Sequence, residues 1–168
     1  TISRVIVGAG IDPALRIPVL PACYGVVIGL EAQVSVSIGK ATGGYDAIRG
    51  QVPTVDLVGS ELWDFGFAAE YRDETTNPNL SIVGGTPEYP PNNTHYVGLG
   101  RNLSPMDVRS AAKAVVIGHA IAKKLYPFTD PIGKDIRVDG RKYKVVGVFD
   151  EKKSAFGGNY DNYVLIPV

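Results

Sequence analysis

Cysteine is almost missing from this chain: Cys23 is the only one. A lone thiol excludes an intramolecular disulfide framework and any Cys-x-x-Cys zinc or redox motif, and it leaves the redox compartment open. Histidine is nearly as scarce, and His95 and His119 stand far from metal-ligand spacing, so each is expected at the surface or a helix cap. There is no excess of either charge. Seventeen Lys and Arg balance seventeen Asp and Glu, so no chain-wide field draws the protein onto nucleic acid or an anionic membrane. Long hydrophobic runs are absent too. No stretch reaches the roughly 18 apolar residues that span a bilayer, and the first residues lack a basic region followed by an apolar one, so the segment is expected to be soluble as it stands.

Catalytic signatures are equally absent. The sequence contains no H-E-x-x-H and no G-x-S-x-G. Gly39-Lys40-Ala41-Thr42-Gly43-Gly44 has a glycine-lysine pair, but a phosphate-binding loop needs Ser or Thr directly after the lysine to hold magnesium, and Ala41 stands there. Val5-Ile6-Val7-Gly8-Ala9-Gly10 opens like a dinucleotide-binding strand and turn; the third glycine position is Pro13, and Pro18 and Pro21 interrupt the helix that should follow. No cofactor, metal or bond-making chemistry is expected.

What is present is a mixed pattern of strands and short helices within 168 residues, enough for one domain with a real core. Residues 115–168 carry the strongest signals. Val115-Val116-Ile117 reads as a buried strand, Gly118 breaks it, and His119 to Leu125 has helical spacing that Pro127 stops. Asp130-Pro131-Ile132-Gly133 is a turn by composition, and two alternating runs are joined by Asp139-Gly140, which predicts a hairpin with a type I′ turn. Tyr163-Val164-Leu165-Ile166 predicts a last strand ending at Pro167.

Upstream the chain opens with a strand around Val5, and Gln33 to Gly39 alternates as a half-buried strand. Residues 21–30 are apolar enough for a buried helix or a strand, and pattern alone does not separate the two. Residues 47–81 predict two or three short strands divided at Pro53, Gly59 and a polar run. Among them Trp63, Phe65 and Phe67 alternate with Asp64 and Gly66 and would all face one way, as an aromatic platform for a partner or ligand or as core filling. Ser104-Pro105 predicts a helix start with serine as cap. Lys142, Lys144, Lys152 and Lys153 are expected to solvate the hairpin face.

The order V-V-I-G, short helix, D-P-I-G-K, I-R-V-x-G-x-x-Y-x-V-V-G-V and V-L-I-P closely resembles the MacB-like periplasmic core domain, the extracytoplasmic domain of ABC-transporter permeases of the MacB/FtsX/LolC type. Ile82-Val83-Gly84-Gly85-Thr86-Pro87-Glu88-Tyr89 looks like the family's V-x-G-T-x-P-x-Y element, and Gly100-Arg101 with Asp107 like its G-R-x-x-x-x-x-D element. The resemblance marks Gly84, Gly100, Arg101, Asp130, Pro131, Gly133, Gly147 and Pro167 as structural signature positions. It implies an α+β fold in one extracytoplasmic domain over residues 1–168. A mixed α/β Porter-like lobe would comprise residues 1–80 with 160–168, and a mainly β Sabre-like lobe residues 81–159. It favours a helix over residues 21–30, and a further β-α-β unit after the last strand, where this sequence runs to Val168. It implies that ATP is hydrolysed by a separate ABC ATPase subunit or domain, that the permease works as a homo- or heterodimer, and that a periplasmic adaptor or effector is the partner. A free-standing periplasmic binding module of the same fold is the alternative.

Overall fold

The structure is a computed structural model that describes residues 55–152 and 161–168, with the strands β1 (Ile2–Gly8), β2 (Pro18–Leu20), β3 (Cys23–Tyr24) and β4 (Val34–Ser37) before them. β5 (Val55–Phe67), β6 (Ala69–Tyr71), β7 (Glu74–Thr75) and β8 (Leu80–Gly85) follow. Then come α1 (Tyr89–Asn92), β9 (Val97–Gly100), α2 (Pro105–Arg109), β10 (Ala114–Ile117) and α3 (His119–Leu125). The last elements are β11 (Asp135–Val138), β12 (Arg141–Phe149) and β13 (Tyr163–Pro167). Strands with few, short helices bear out the α+β expectation.

One mixed sheet runs through the described residues in the order β4-β1-β5-β8-β13-β10-β12-β11-β6-β7, with β9 also on β12. Alternation sorts its apolar residues into two cores. Val115 and Ile117 of β10, Val164 of β13, Val145 and Val148 of β12 and Leu80 of β8 join Ile121 and Leu125 of α3 on one face. Ala114, Val116, Leu165, Tyr163, Val83 and Phe149 join Tyr89 and Leu103 on the other. Each of the two central strands therefore feeds both cores, which is why β10 is buried along its whole length.

The sequence signals in residues 115–168 correspond closely to what forms. Asp139 and Gly140 both take positive φ, 50° and 69°, and join β11 to β12 with Ile136 opposite Tyr143. Ser104 caps α2: its Oγ accepts from Asp107 N, and the Asp107 carboxylate accepts in return from Ser104 N, at 2.7 Å.

Elsewhere the expectations need correction. Cys23–Tyr24 is a strand paired with Pro18–Leu20, not part of a helix; Pro21 has no N–H to give a helix and pushes Leu20 to extended backbone. The rest of residues 21–30, and the turn at residues 39–44, lie outside the described residues. Gly59 does not end a strand but sits inside the 13-residue β5. An added Cβ there would come 2.9 Å from Asn92 Nδ2, so the glycine serves the close approach of α1.

Candidate functional site

Several signature positions are explained by backbone geometry. Gly100 and Gly133 hold positive φ, 76° and 75°. A Cβ on Gly147 would run into the Arg101 carbonyl oxygen, and one on Gly84 would come 2.7 Å from Val168 Cγ2. Asp130 Oδ1 accepts from Ile132 N at 2.9 Å, fixing the turn at the buried Pro131. Pro167 pairs with Gly85 at the end of β13. Arg101 Nη1 donates to Asp107 Oδ2 at 2.7 Å and Nη2 to Oδ1 at 3.3 Å. This guanidinium, aided by Ser104, holds the Asp107 carboxyl well below the usual carboxylate range.

The aromatic run on β5 is split between the two faces. Phe65 pairs with Ser81 and Phe67 with Leu80, leaving Gly66 between them as a bulge with φ of 91°. The extra residue breaks the alternation, so Phe67 packs against the core that contains Leu80 and Val138. Trp63 and Phe65 stay on the opposite face and remain in solvent, at 40% and 66% exposure. Their rings stack at 5.9 Å with 16° between planes. The expectation of three aromatics facing one way is therefore corrected to two on an exposed shelf and one in the core.

Behind the shelf lies a second tier that sequence spacing did not indicate. Tyr89 meets Trp63 edge-on at 6.1 Å and Tyr163 meets it tilted at 6.4 Å. His95 stacks on Tyr89 at 5.9 Å, lies 5.1 Å from the Tyr163 ring and accepts from, or donates to, the Tyr163 hydroxyl through Nδ1 at 2.9 Å. His95 is thus not the surface histidine expected: burial, helped by Lys152, lowers its pKa to about 4. Burial likewise pushes the Tyr89 and Tyr163 phenols far above their ordinary value, and Tyr89 Oη has no hydrogen-bond partner among the described residues.

Glu61 belongs to the same site by the same alternation, two residues before Trp63. Its Oε2 accepts from Asn93 Nδ2 at 3.0 Å, and burial raises its pKa against the pull of the Asn93 and Trp63 donors. Lys152 also stands here and not on the hairpin: its Nζ donates to Asn93 O at 3.0 Å. Lys142 does lie on the hairpin, 2.8 Å from Asp135, as does Lys144, 3.9 Å from the same carboxylate; Lys153 lies outside the described residues. Among the described residues no group of His, Cys, Asp and Glu is placed to hold a metal ion, and no helix is long and apolar enough to cross a membrane.

The arrangement is a stacked aromatic surface with a buried polar backing, suited to apolar contact and not to proton transfer. The MacB-like periplasmic core domain family matches residues 25–168. The chain is 41% identical over 69 residues to the uncharacterized ABC transporter permease YvrN of Bacillus subtilis, covering 39% of this chain and 17% of that protein. It is 36% identical over 96 residues to the pyoverdine export ATP-binding/permease protein PvdT of Pseudomonas savastanoi, covering 52% and 14%. It is 35% identical over 91 residues to the macrolide export ATP-binding/permease protein MacB of Rhodopirellula baltica, covering 54% and 13%. These matches take in only a small part of each relative's length. In fold, the chain is similar to the extracellular domain of the transporter YknZ from Gram-positive bacteria, with TM-score 0.61, 24% identity, and 73% of this chain and 59% of that one covered. It is also similar to the periplasmic region of MacB from Actinobacillus actinomycetemcomitans, with TM-score 0.55, 17% identity, and 65% and 46% covered. The chain belongs to the MacB-like periplasmic core domain family and is the domain of an ABC-transporter permease that stands on the extracytoplasmic side of the inner membrane.

Proposed function

We propose that this domain is a moved part: it carries motion generated by cytoplasmic ATP hydrolysis, performed by a separate ABC ATPase subunit or domain, to an event outside the membrane. That event is export, extraction, or the activation of a periplasmic adaptor or effector. The domain itself does no bond-making chemistry. The observation that supports the reading is the Trp63–Phe65 stack, because two large rings left in solvent beside a well-filled core mark a contact surface. The strand beneath them suits transmission. β5 pairs with β1 along its first part and with β8 along its second, so a push on the shelf is delivered to both halves of the sheet.

The names of the relatives refer to pyoverdine and macrolide export; in this reading the shelf meets a partner protein and not the exported cargo. The same reading keeps the two-lobe division, residues 1–80 with 160–168 and 81–159, and a homo- or heterodimeric permease. Of the first lobe's strands, β4, β1 and β5 are neighbours at one end of the sheet; β8 stands between them and β13, and β6 and β7 lie at the other end against β11. The alternative, a free-standing periplasmic binding module, differs in lacking membrane helices in the parent gene.

The test uses the intact transporter in membranes. Trp63→Ala with Phe65→Ala should lower capture of the periplasmic partner and transport while basal ATP hydrolysis is kept and the domain stays folded, its thermal midpoint falling only modestly. Unchanged capture and transport would remove the shelf from the mechanism.

A further inference from the structure

A second feature lies away from the aromatic shelf. β12 is held by β11 along its first half and by β9 along its second. β9 therefore pairs on one edge only, and among the described residues its other edge meets no strand. Gly98, Leu99 and Gly100 along it are exposed. Beside it opens a groove of about 650 Å³ with α3 and the turn after it on the far side. Leu99, Val148, Ala122, Tyr126, Pro127 and Pro131 give it apolar surface. His119 and Lys123, one helical turn apart, give the α3 wall its polar groups. Asp150 is the acid of the groove, and its carboxylate lies over Gly98, in the space a Cβ would take.

We propose that the free edge of β9 and this groove take an extended, acidic-apolar peptide segment of a partner protein, added to the sheet as a further strand. An unpaired strand edge offers backbone N–H and C=O groups in a row, and an extended segment satisfies them while placing alternate side chains into the groove. Charge selects the rest of the sequence. A carboxylate of the segment is attracted to Lys123 on the helix wall and repelled by Asp150 beside β9, so the acid belongs on the α3 side and apolar residues over Leu99 and Val148. The glycine at position 98 makes room for the Asp150 carboxylate, which sets the repelling charge against β9. This site is separate from Trp63 and Phe65, and the two readings stand or fall independently.

The experiment is selection of a displayed random peptide library on the purified 168-residue chain, followed by titration of the enriched peptides as labelled synthetic probes. The expected winners alternate apolar residues and carry Asp or Glu. Their binding should weaken at least tenfold in Ala122→Trp, which fills the groove, and about fivefold in Lys123→Glu, which reverses one exposed charge without touching the core. Binding should slow amide exchange at Val97 to Gly100 and persist in Trp63→Ala/Phe65→Ala. The proposal is overturned if nothing is enriched, if the winners are basic or bind as helices, or if Lys123→Glu and Ala122→Trp leave their affinity unchanged.

Discussion

Tyr163 and His95 are 68 residues apart in the chain, and the hydroxyl of one lies 2.9 Å from Nδ1 of the other. The contact ties β13 to the segment after α1 and closes the back of the aromatic shelf. His95 is neutral there at ordinary pH, because burial and the nearby Lys152 ammonium oppose a second proton on the ring.

A pH prediction follows from the sign of that shift. The folded-state pKa is lowered from 6.5 to about 4, so between these values the unfolded chain takes up a proton that the folded chain does not. The stability that neutral His95 contributes is complete above about pH 6.5 and is lost as pH falls toward 4. The thermal midpoint should drop across that window, and His95→Gln should show a shallower drop than the natural chain. Equal slopes for the two proteins would mean that other groups carry the dependence.

Phe65 and Phe67 make a paired test of the bulge. Phe67→Ala removes a ring packed on the core and should cost about 2–3 kcal/mol in denaturant titration. Phe65→Ala, on the exposed side, should cost no more than about 0.5 kcal/mol. Similar losses for both would place them on the same face.

Two glycines separate steric from conformational cost. A Cβ at Gly147 meets the Arg101 backbone carbonyl, which cannot swing away as a side chain can, so Gly147→Ala should destabilise by about 2–3 kcal/mol. Gly140 has open space around it and a φ of 69°, so Gly140→Ala should cost about 1 kcal/mol from left-handed backbone alone. Chemical denaturation of both variants measures the difference, and the reverse ranking would contradict the packing at Gly147.

The Arg101–Asp107 pair predicts an asymmetry. Asp107→Ala removes the reciprocal cap of α2 together with the acceptor for Arg101, at about 1–2 kcal/mol. Arg101→Ala leaves the cap in place and deletes a largely exposed partner, at less than about 1 kcal/mol. Equal losses in unfolding free energy would show that the ion pair, not the cap, dominates.

Local chemistry made parts of this protein readable before any tertiary contact was known. Asp139-Gly140 forms the hairpin because few dipeptides tolerate two consecutive positive φ values, and Ser104-Pro105 starts α2 because the hydroxyl and the ring suit the first turn without help. The helix at His119–Leu125 and the strand at Tyr163–Pro167 were legible for the same reason: glycine and proline bound short periodic runs.

The aromatic shelf was only half legible. Alternation placed Trp63 and Phe65 together, but a one-residue bulge at Gly66 depends on how β5 registers against β8, and no local rule states that register. The second tier, Tyr89, His95, Phe149 and Tyr163, comes from three separate segments that only the folded sheet brings within about 6 Å of one another.

Sequence alone thus determined the turns, caps and short elements, and the family they spell, since each is set by the φ/ψ limits and hydrogen-bonding habits of a few adjacent residues. The tertiary structure decided which face each ring occupies, the burial that keeps His95 neutral and the edge of β9 left unpaired among the described residues, because these depend on strand order and pairing between residues distant in the chain.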